Sequence, residues 1–354
     1  MKYPALIINE SKLADNIRTI QRICAEYPIS FCAVTKCFCA LPRIVDIYYN
    51  LGVREFADTR IPNLKKIAYH DARRWLLRLP MLCEVEDVVK YADVSLNSEL
   101  ETVAALSETS LRLLGMKHRV ILMVDVGDLR EGVLPEDAVR IAGEMLKFEG
   151  IRLLGLGVNF NCFGGLIPNP ENVSIILDIR KEIEMKYDTR LPVLSGGNSG
   201  SIHMLTNRTM PKGVNYLRLG EIFFLGHETS YQQRIGNMHE NVFRLEAQII
   251  EIQKKPSKPT GELGRNAFGE VVTFEDKGDM IRAIIACGRQ DVDMKKIVPY
   301  DTDTEVIGQS SDHTIIDVTH SKKEYKVGDA LSFSLSYGSL LSLSTSKYVH
   351  KLYE

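Results

Sequence analysis

The chain is 354 residues long, with 44 basic against 46 acidic side chains and a formal net charge of -2, so its charge gives no reason to expect nucleic acid or an anionic membrane as a partner. At 45% hydrophobic and 25% charged residues it has an ordinary globular composition, and its length suits two domains better than one. No apolar run approaches the ~20 residues that cross a bilayer, the opening MKYPALIINESKL reaches charge too early for a signal peptide, and seven irregularly spaced cysteines suit reduced thiols better than a disulfide framework; the expectation is a cytoplasmic protein.

From about residue 11 to about residue 230, short β-like runs alternate with amphipathic helical stretches. ESKLADNIRTIQRICAEY repeats Leu13, Ile17, Ile20 and Ile23 at helical spacing behind Ser11, a candidate N-cap. Eight strands follow: FCAVTK (31–36), REFADT (54–59), WLLRLP (75–80), DVSLN (93–97), RVILMVD (119–125), RLLGLGVN (152–159), PVLSGG (192–197) and NYLRLGE (215–221). Between the fifth and sixth, PEDAVRIAGEMLKFEG carries Pro135 as a helix start and Gly150 as a stop. Near-continuously apolar strands, each followed by a helix, describe a parallel (β/α)8 barrel over residues 1–232, with residues 1–10 free to pair with the β-rich segment that follows it. An open doubly wound sheet is the competitor, and no GxGxxG follows the first strand to support it.

After about residue 232 the texture changes. VFRLEAQIIEIQKK, GEVVTF, MIRAIIACG, TEVIGQ, TIIDVTH and ALSFSLSYG are short β-rich runs between turn signals, and helical patterns disappear. Residues 233–354 are therefore expected to form an all-β domain.

Such barrels do their chemistry at the C-terminal ends of the strands. Lys36 ends the first strand there, an amine that loses hydration with no carboxylate near it in sequence, and a neutral amine is a nucleophile. SGGNSGS (195–201) follows the seventh strand and precedes the helical IHMLTN; its glycines admit backbone amides close to a ligand, and the helix start favours an anion such as phosphate. Cys32, Cys37 and Cys39 surround Lys36 without a CxxC pair or a nearby histidine, so no metal is expected. Lysine beside a phosphate cup is the minimal equipment for pyridoxal phosphate.

Lys36, VDVGDLREG (124–132), GLGVNFNCFGG (155–165), SGGNSGS and LRLGE, in this order and ahead of a β domain, resemble the fold-type III pyridoxal-phosphate enzymes of the alanine racemase family, and the wording is closest to its ornithine racemase branch. The resemblance implies an amino-acid racemase acting on a small-molecule substrate, with Lys36 carrying the cofactor and serving as base on one face of the α-carbon. It implies that Arg130 reaches the cofactor's phenolic oxygen and the substrate carboxylate, and that Asn159 stands beside the ring where the family has a histidine. Asn198 and Ser199, with the backbone of Gly220 and Glu221, would bind phosphate. Arg218 would face the ring nitrogen, where a permanent cation weakens the electron sink and suits reprotonation at the α-carbon.

The chain also departs from the pattern. Leu263 in TGELGRNAFGE stands where the family takes its opposite-face tyrosine from a partner subunit, and Ala40 replaces another tyrosine. Candidates for the second base are His313, Cys287 and Tyr337, while Asp312 lies in the segment that in the family enters the partner's site. The expectation is a homodimer with shared active sites, acting on ornithine or another basic amino acid. The rival readings are a fold-type III decarboxylase, a D-amino-acid dehydratase and a non-catalytic pyridoxal-phosphate carrier.

Overall fold

A computed structural model describes all 354 residues, which divide into two compact units, Ser11–Glu240 and a second made of Met1–Glu10 with Asn241–Glu354. The first strand, β1 (Ala5–Ile8), belongs to the second unit.

In the first unit, α1 (Glu10–Ala25) leads into a closed parallel barrel. Its strands and helices run β2 (Ser30–Val34), α2 (Pro42–Asn50), β3 (Glu55–Asp58), α3 (Ile61–Ile67), β4 (Arg73–Leu76), α4 (Val85–Tyr91), β5 (Val94–Asn97), α5 (Leu100–Leu114), β6 (His118–Met123), α6 (Pro135–Leu146), β7 (Ile151–Gly157), α7 (Pro170–Tyr187), β8 (Val193–Ser195), α8 (Ile202–Thr206), β9 (Tyr216–Leu219) and α9 (Ile222–Leu225). All eight expected strands are present, and β9 closes on β2 with Ala33 opposite Leu219. The interior is filled by Cys32, Val34, Trp75, Leu96, Ile121, Met123 and Tyr216, among others, so the barrel is a packed core whose loops carry the chemistry. At the opposite end from those loops, Glu55 accepts hydrogen bonds from the Trp75 indole (2.8 Å) and the Tyr216 hydroxyl (2.7 Å).

Two expected helix signals fall elsewhere. Ser11 lies inside α1, which starts at Glu10, and the helix buries Leu13, Asn16, Ile17, Ile20 and Cys24, with Ile23 only half-buried. Asn16 is tolerated inside because its amide donates to the carbonyls of Phe223 and His239. Gly150 does not stop α6, which ends at Leu146. It lies against α5, where a Cβ would come within 2.2 Å of the Ser107 carbonyl oxygen, and its amide donates to the Ser107 hydroxyl.

The second unit is one antiparallel sheet ordered β12-β15-β10-β11-β14-β13, from β10 (Phe243–Pro256), β11 (Asp279–Ile285), β12 (Ile297–Pro299), β13 (Glu305–Gln309), β14 (Thr314–Asp317) and β15 (Ala330–Leu335). β1 adds to it antiparallel to β10 and parallel to β16 (His350–Tyr353). Phe243, Leu245, Ala247 and Ile249 alternate inward along β10. The unit also holds a helix, α10 (Tyr337–Thr345), where ALSFSLSYG reads as continuous strand. Ser336 breaks the strand by capping that helix, its side chain accepting from the Ser339 amide. GEVVTF forms no strand; one bridge, Arg265 to Val271, is its only pairing. No helix of the chain is long and apolar enough to cross a membrane.

Candidate active site

Five consecutive barrel strands, β2, β9, β8, β7 and β6, bring the polar strand ends singled out in the sequence into one arc of the rim. Lys36 opens a 3-10 turn (Lys36–Phe38) directly after β2 and is half-buried. The next strand around, β9, ends at Leu219 and is followed by Gly220, whose missing Cβ would lie 3.1 Å from the Cβ of Val34. The close approach of β2 and β9 thus places the Gly220–Glu221 turn against the base of the Lys36 turn.

The isolation of Lys36 from acids in sequence does not survive folding. Burial pushes the Glu221 carboxyl up to about 7, and the positive charge of Lys36 pulls the other way. Burial pushes the Cys37 thiol well above its ordinary range, again opposed by Lys36, so Cys37 stays a protonated thiol beside the amine.

The Lys36 turn carries backbone strain. Cys39 (φ 54°) and Ala40 (φ 47°) are consecutive left-handed residues without glycine, a conformation that costs roughly 1–2 kcal/mol per residue. Amides of Phe38 and Ala40 donate to the Thr35 carbonyl, and that of Cys39 to Lys36. Outside the turn, the Thr35 hydroxyl donates to Asp58 Oδ2 (2.6 Å), and the Asn63 amide donates to Asp58 Oδ1 (3.1 Å). Asp58 is fully buried; burial raises its carboxyl, and the bonds from Thr35 and Asn63 pull it back down.

At the end of β8, Asn198 caps a 3-10 turn (Ser199–Ser201) by accepting from the Gly200 amide (2.9 Å), and donates to the Phe160 carbonyl (2.7 Å). Gly197 passes at φ 116°, where a Cβ would fall 2.4 Å from Ser201 Oγ. The Gly200 carbonyl is turned away and held from behind by the Ser230 hydroxyl (3.0 Å) and His203 Nδ1 (2.6 Å). Asn161 braces Ser230 in turn, and Glu228, fully buried, holds the 228–233 loop by accepting from the amides of Ser230, Tyr231 and Gln233. In front, the amides of Gly220 and Ile222 reach the Ser199 hydroxyl at 3.3 and 3.4 Å. Bonds that long leave the donors poorly satisfied by a neutral hydroxyl, and an anionic oxygen is the better acceptor. The set suits a phosphate monoester.

Inside the mouth, Arg218 is buried, with Nη1 donating to Ser195 (2.6 Å) and Nη2 to the Val158 carbonyl (2.8 Å). Burial lowers its hold on the proton, but both bonds favour the cation and fix its plane. Arg130 is solvent-accessible and paired with Glu131, and with its amide oxygen turned toward Arg130 the Asn159 side chain accepts from it at 3.1 Å. Asp128 ties this loop to the next by accepting from the amides of Gly164 (3.2 Å) and Leu166 (3.4 Å).

The remaining candidates belong to the second unit. Asp312 is exposed in the turn between β13 and β14, held by Gln290 Nε2 (2.7 Å) and the Ser311 hydroxyl (2.8 Å), with His313 exposed beside it. Cys287 is buried, and burial with Asp291 pushes its thiol up to about 12. Tyr337 is half-buried at the start of α10. Thr35, Asn63, Ser230 and Glu228 carry no sequence signal of their own, since their partners lie on other strands or loops.

Residues 8–228 match the family described as alanine racemase, N-terminal domain. The chain is 45% identical over 350 residues to ornithine racemase of Acetoanaerobium sticklandii, covering 99% of each, and 37% identical over 356 residues to lysine racemase of Thermotoga maritima, covering 100% of this chain and 99% of that one. Its fold is similar to alanine racemase of Clostridium difficile (TM-score 0.75, 19% identity, 100% and 96% of the two chains) and to alanine racemase of Bartonella henselae with covalently bound pyridoxal phosphate (TM-score 0.76, 16% identity, 100% of both). With the matched segment covering most of the chain and two relatives aligned end to end, the chain belongs to the alanine racemase family.

Proposed function

We propose that this chain is an isomerase, a pyridoxal-phosphate-dependent racemase that interconverts the L and D forms of a basic amino acid, with ornithine the first candidate, in the cytoplasm and as a homodimer. The observation that carries the reading is the abutment of β2 and β9, which sets Lys36 beside a cup of amides suited to phosphate. The names of the two full-length relatives support a basic substrate. Pyridoxal phosphate, when bound, withdraws electrons from the substrate's α-carbon and so acidifies its α-proton.

Each residue then has a stated task. The Ser199 hydroxyl and the amides of Gly220, Glu221 and Ile222, with the turn shaped by Asn198, would hold the phosphate. Lys36 is the residue that would carry the cofactor, and its amine would take or return the α-proton on its own face; positioned proton transfer of this kind contributes about 10²- to 10⁴-fold. Arg218, fixed by Ser195 and Val158, would present a cation to the ring nitrogen and discourage its protonation. Arg130, oriented by Asn159 and balanced by Glu131, would orient the substrate carboxylate and the cofactor's phenolic oxygen. On the opposite face the second base would be His313 from the β-rich unit of a partner copy, with Asp312 beside it meeting the substrate; Tyr337, and Cys287 with its thiol pushed up to about 12, are the candidates within the same subunit.

Two measurements test this together. Borohydride reduction of the loaded protein followed by peptide mapping should place the cofactor on Lys36, and label on another lysine would reject the site. A panel of L-amino acids followed by chiral chromatography should show ornithine or lysine losing optical purity at least about tenfold faster than alanine. Faster racemisation of alanine would reject the substrate class.

A further inference from the structure

We propose that Asp58, Asn63 and Lys66 form a clasp that holds the Lys36 turn at both ends and so positions its amine for proton transfer; this rests on the reading of Lys36 as the cofactor-bearing lysine. The clasp begins at Thr35, the residue before Lys36, whose hydroxyl donates to Asp58 at 2.6 Å. Asp58 is bound at its other oxygen by the Asn63 amide at 3.1 Å. The Asn63 oxygen accepts from the Lys66 ammonium at 3.2 Å, and the same ammonium donates at 2.8 Å to the carbonyl of Cys39, three residues after Lys36. A ring of side chains from the end of β3 and the face of α3 therefore closes around residues 35–39.

Two features say that this ring does more than add stability. A fully buried carboxyl is a costly way to fill space, and an apolar side chain of similar size would stabilise the barrel as well or better. The segment it grips also carries two strained left-handed residues, Cys39 and Ala40, which relax unless the surroundings hold them. Lys66 is exposed, so its reach back to the Cys39 carbonyl is a contact for geometry rather than for burial. Asp58, Asn63 and Lys66 touch neither substrate nor cofactor in this account; they are positioning residues.

The test uses holoenzymes of the wild type and of Lys66→Met, Lys66→Arg and Asp58→Asn. All should fold, retain reducible cofactor on Lys36, and bind substrate with KM within about threefold of wild type. Misplacement of a reacting group by about 1 Å costs up to about 100-fold, so kcat should fall by about tenfold or more in Lys66→Met and further in Asp58→Asn, with most of it restored in Lys66→Arg. The pH at which the visible band of the lysine-bound cofactor titrates should move in the same two variants. If Lys66→Met and Asp58→Asn lower the unfolding temperature while kcat and the band titration stay at wild-type values, the clasp is purely structural and the proposal is overturned. Should Asp58→Asn fail to fold, the exposed Lys66 pair decides the matter alone. Label on a lysine other than Lys36 in the wild type overturns the underlying reading instead, a failure visible before any variant is compared.

Discussion

Burial drives the Glu221 carboxyl up to about 7 while Lys36 pulls it down, and the unfolded chain's glutamate titrates near ~4.3. The folded protein therefore keeps this proton to higher pH than the unfolded chain, and stability falls as pH rises from about 4.5 to about 7, then levels off. In the cofactor-free protein, Glu221→Gln should be more stable than wild type by up to about 3 kcal/mol at pH 8 and by little at pH 4.5, measured by urea unfolding at both; a difference independent of pH would contradict the burial argument. Residues of this kind divide into those legible in sequence and those not. Lys36 and the SGGNSGS turn stand out because local chain chemistry marks them, an amine after an apolar run and a glycine cluster before a helix. Asp58 shows in sequence only as a polar residue at a strand end, since its partners Thr35 and Asn63 reach it only once β2, β3 and α3 close. Glu221 reads as a backbone donor, and the charge that opposes its burial comes from a lysine 185 positions away.

At the scale of elements, the barrel strands were legible because each is a short apolar run fed by a helix, a pattern that survives any error of a residue or two at its ends. The structure departs from the sequence pattern where a single local signal stands alone. Ser11 resembles an N-cap, but α1 starts one residue earlier; ALSFSLSYG alternates like a strand to its end, but Ser336 caps a helix; Gly150 follows a helix without ending it. Glycines in this barrel serve closeness between elements. At Gly155, where β7 meets β8, a Cβ would sit 1.8 Å from the Val193 carbonyl oxygen. Gly155→Ala should therefore cost about 3 kcal/mol or more by forcing the strands apart. Gly115→Ala, at the left-handed end of α5 with open space around it, should cost only about 1 kcal/mol. Thermal unfolding of the two variants compares them directly, and equal losses would mean that β7 and β8 tolerate separation.

For the whole molecule, the proposed function has a cofactor-bearing barrel completed by residues of a partner copy. If Asp312 acts across a two-fold interface, Lys36→Ala and Asp312→Ala proteins should each be nearly inactive and should regain activity when mixed after dissociation. Random reassortment makes about half the dimers mixed, each with one intact site of two, so recovery should approach about a quarter of the wild-type rate. No recovery, with subunit exchange demonstrated, would reject the shared site and leave Tyr337 or Cys287 of the same subunit as the next candidates for the second base. Independent of the oligomer, the proposed function is the movement of an α-proton between the two faces of a basic amino acid, with no other change to it. Incubation of the loaded protein with L-ornithine in deuterium oxide, and separately with D-ornithine, measures that claim most directly. Both should converge on equal amounts of the two enantiomers, with deuterium at the α-carbon and no loss of carboxylate or amine. Release of carbon dioxide or ammonia, or retention of the starting configuration by ornithine and lysine alike, would contradict it.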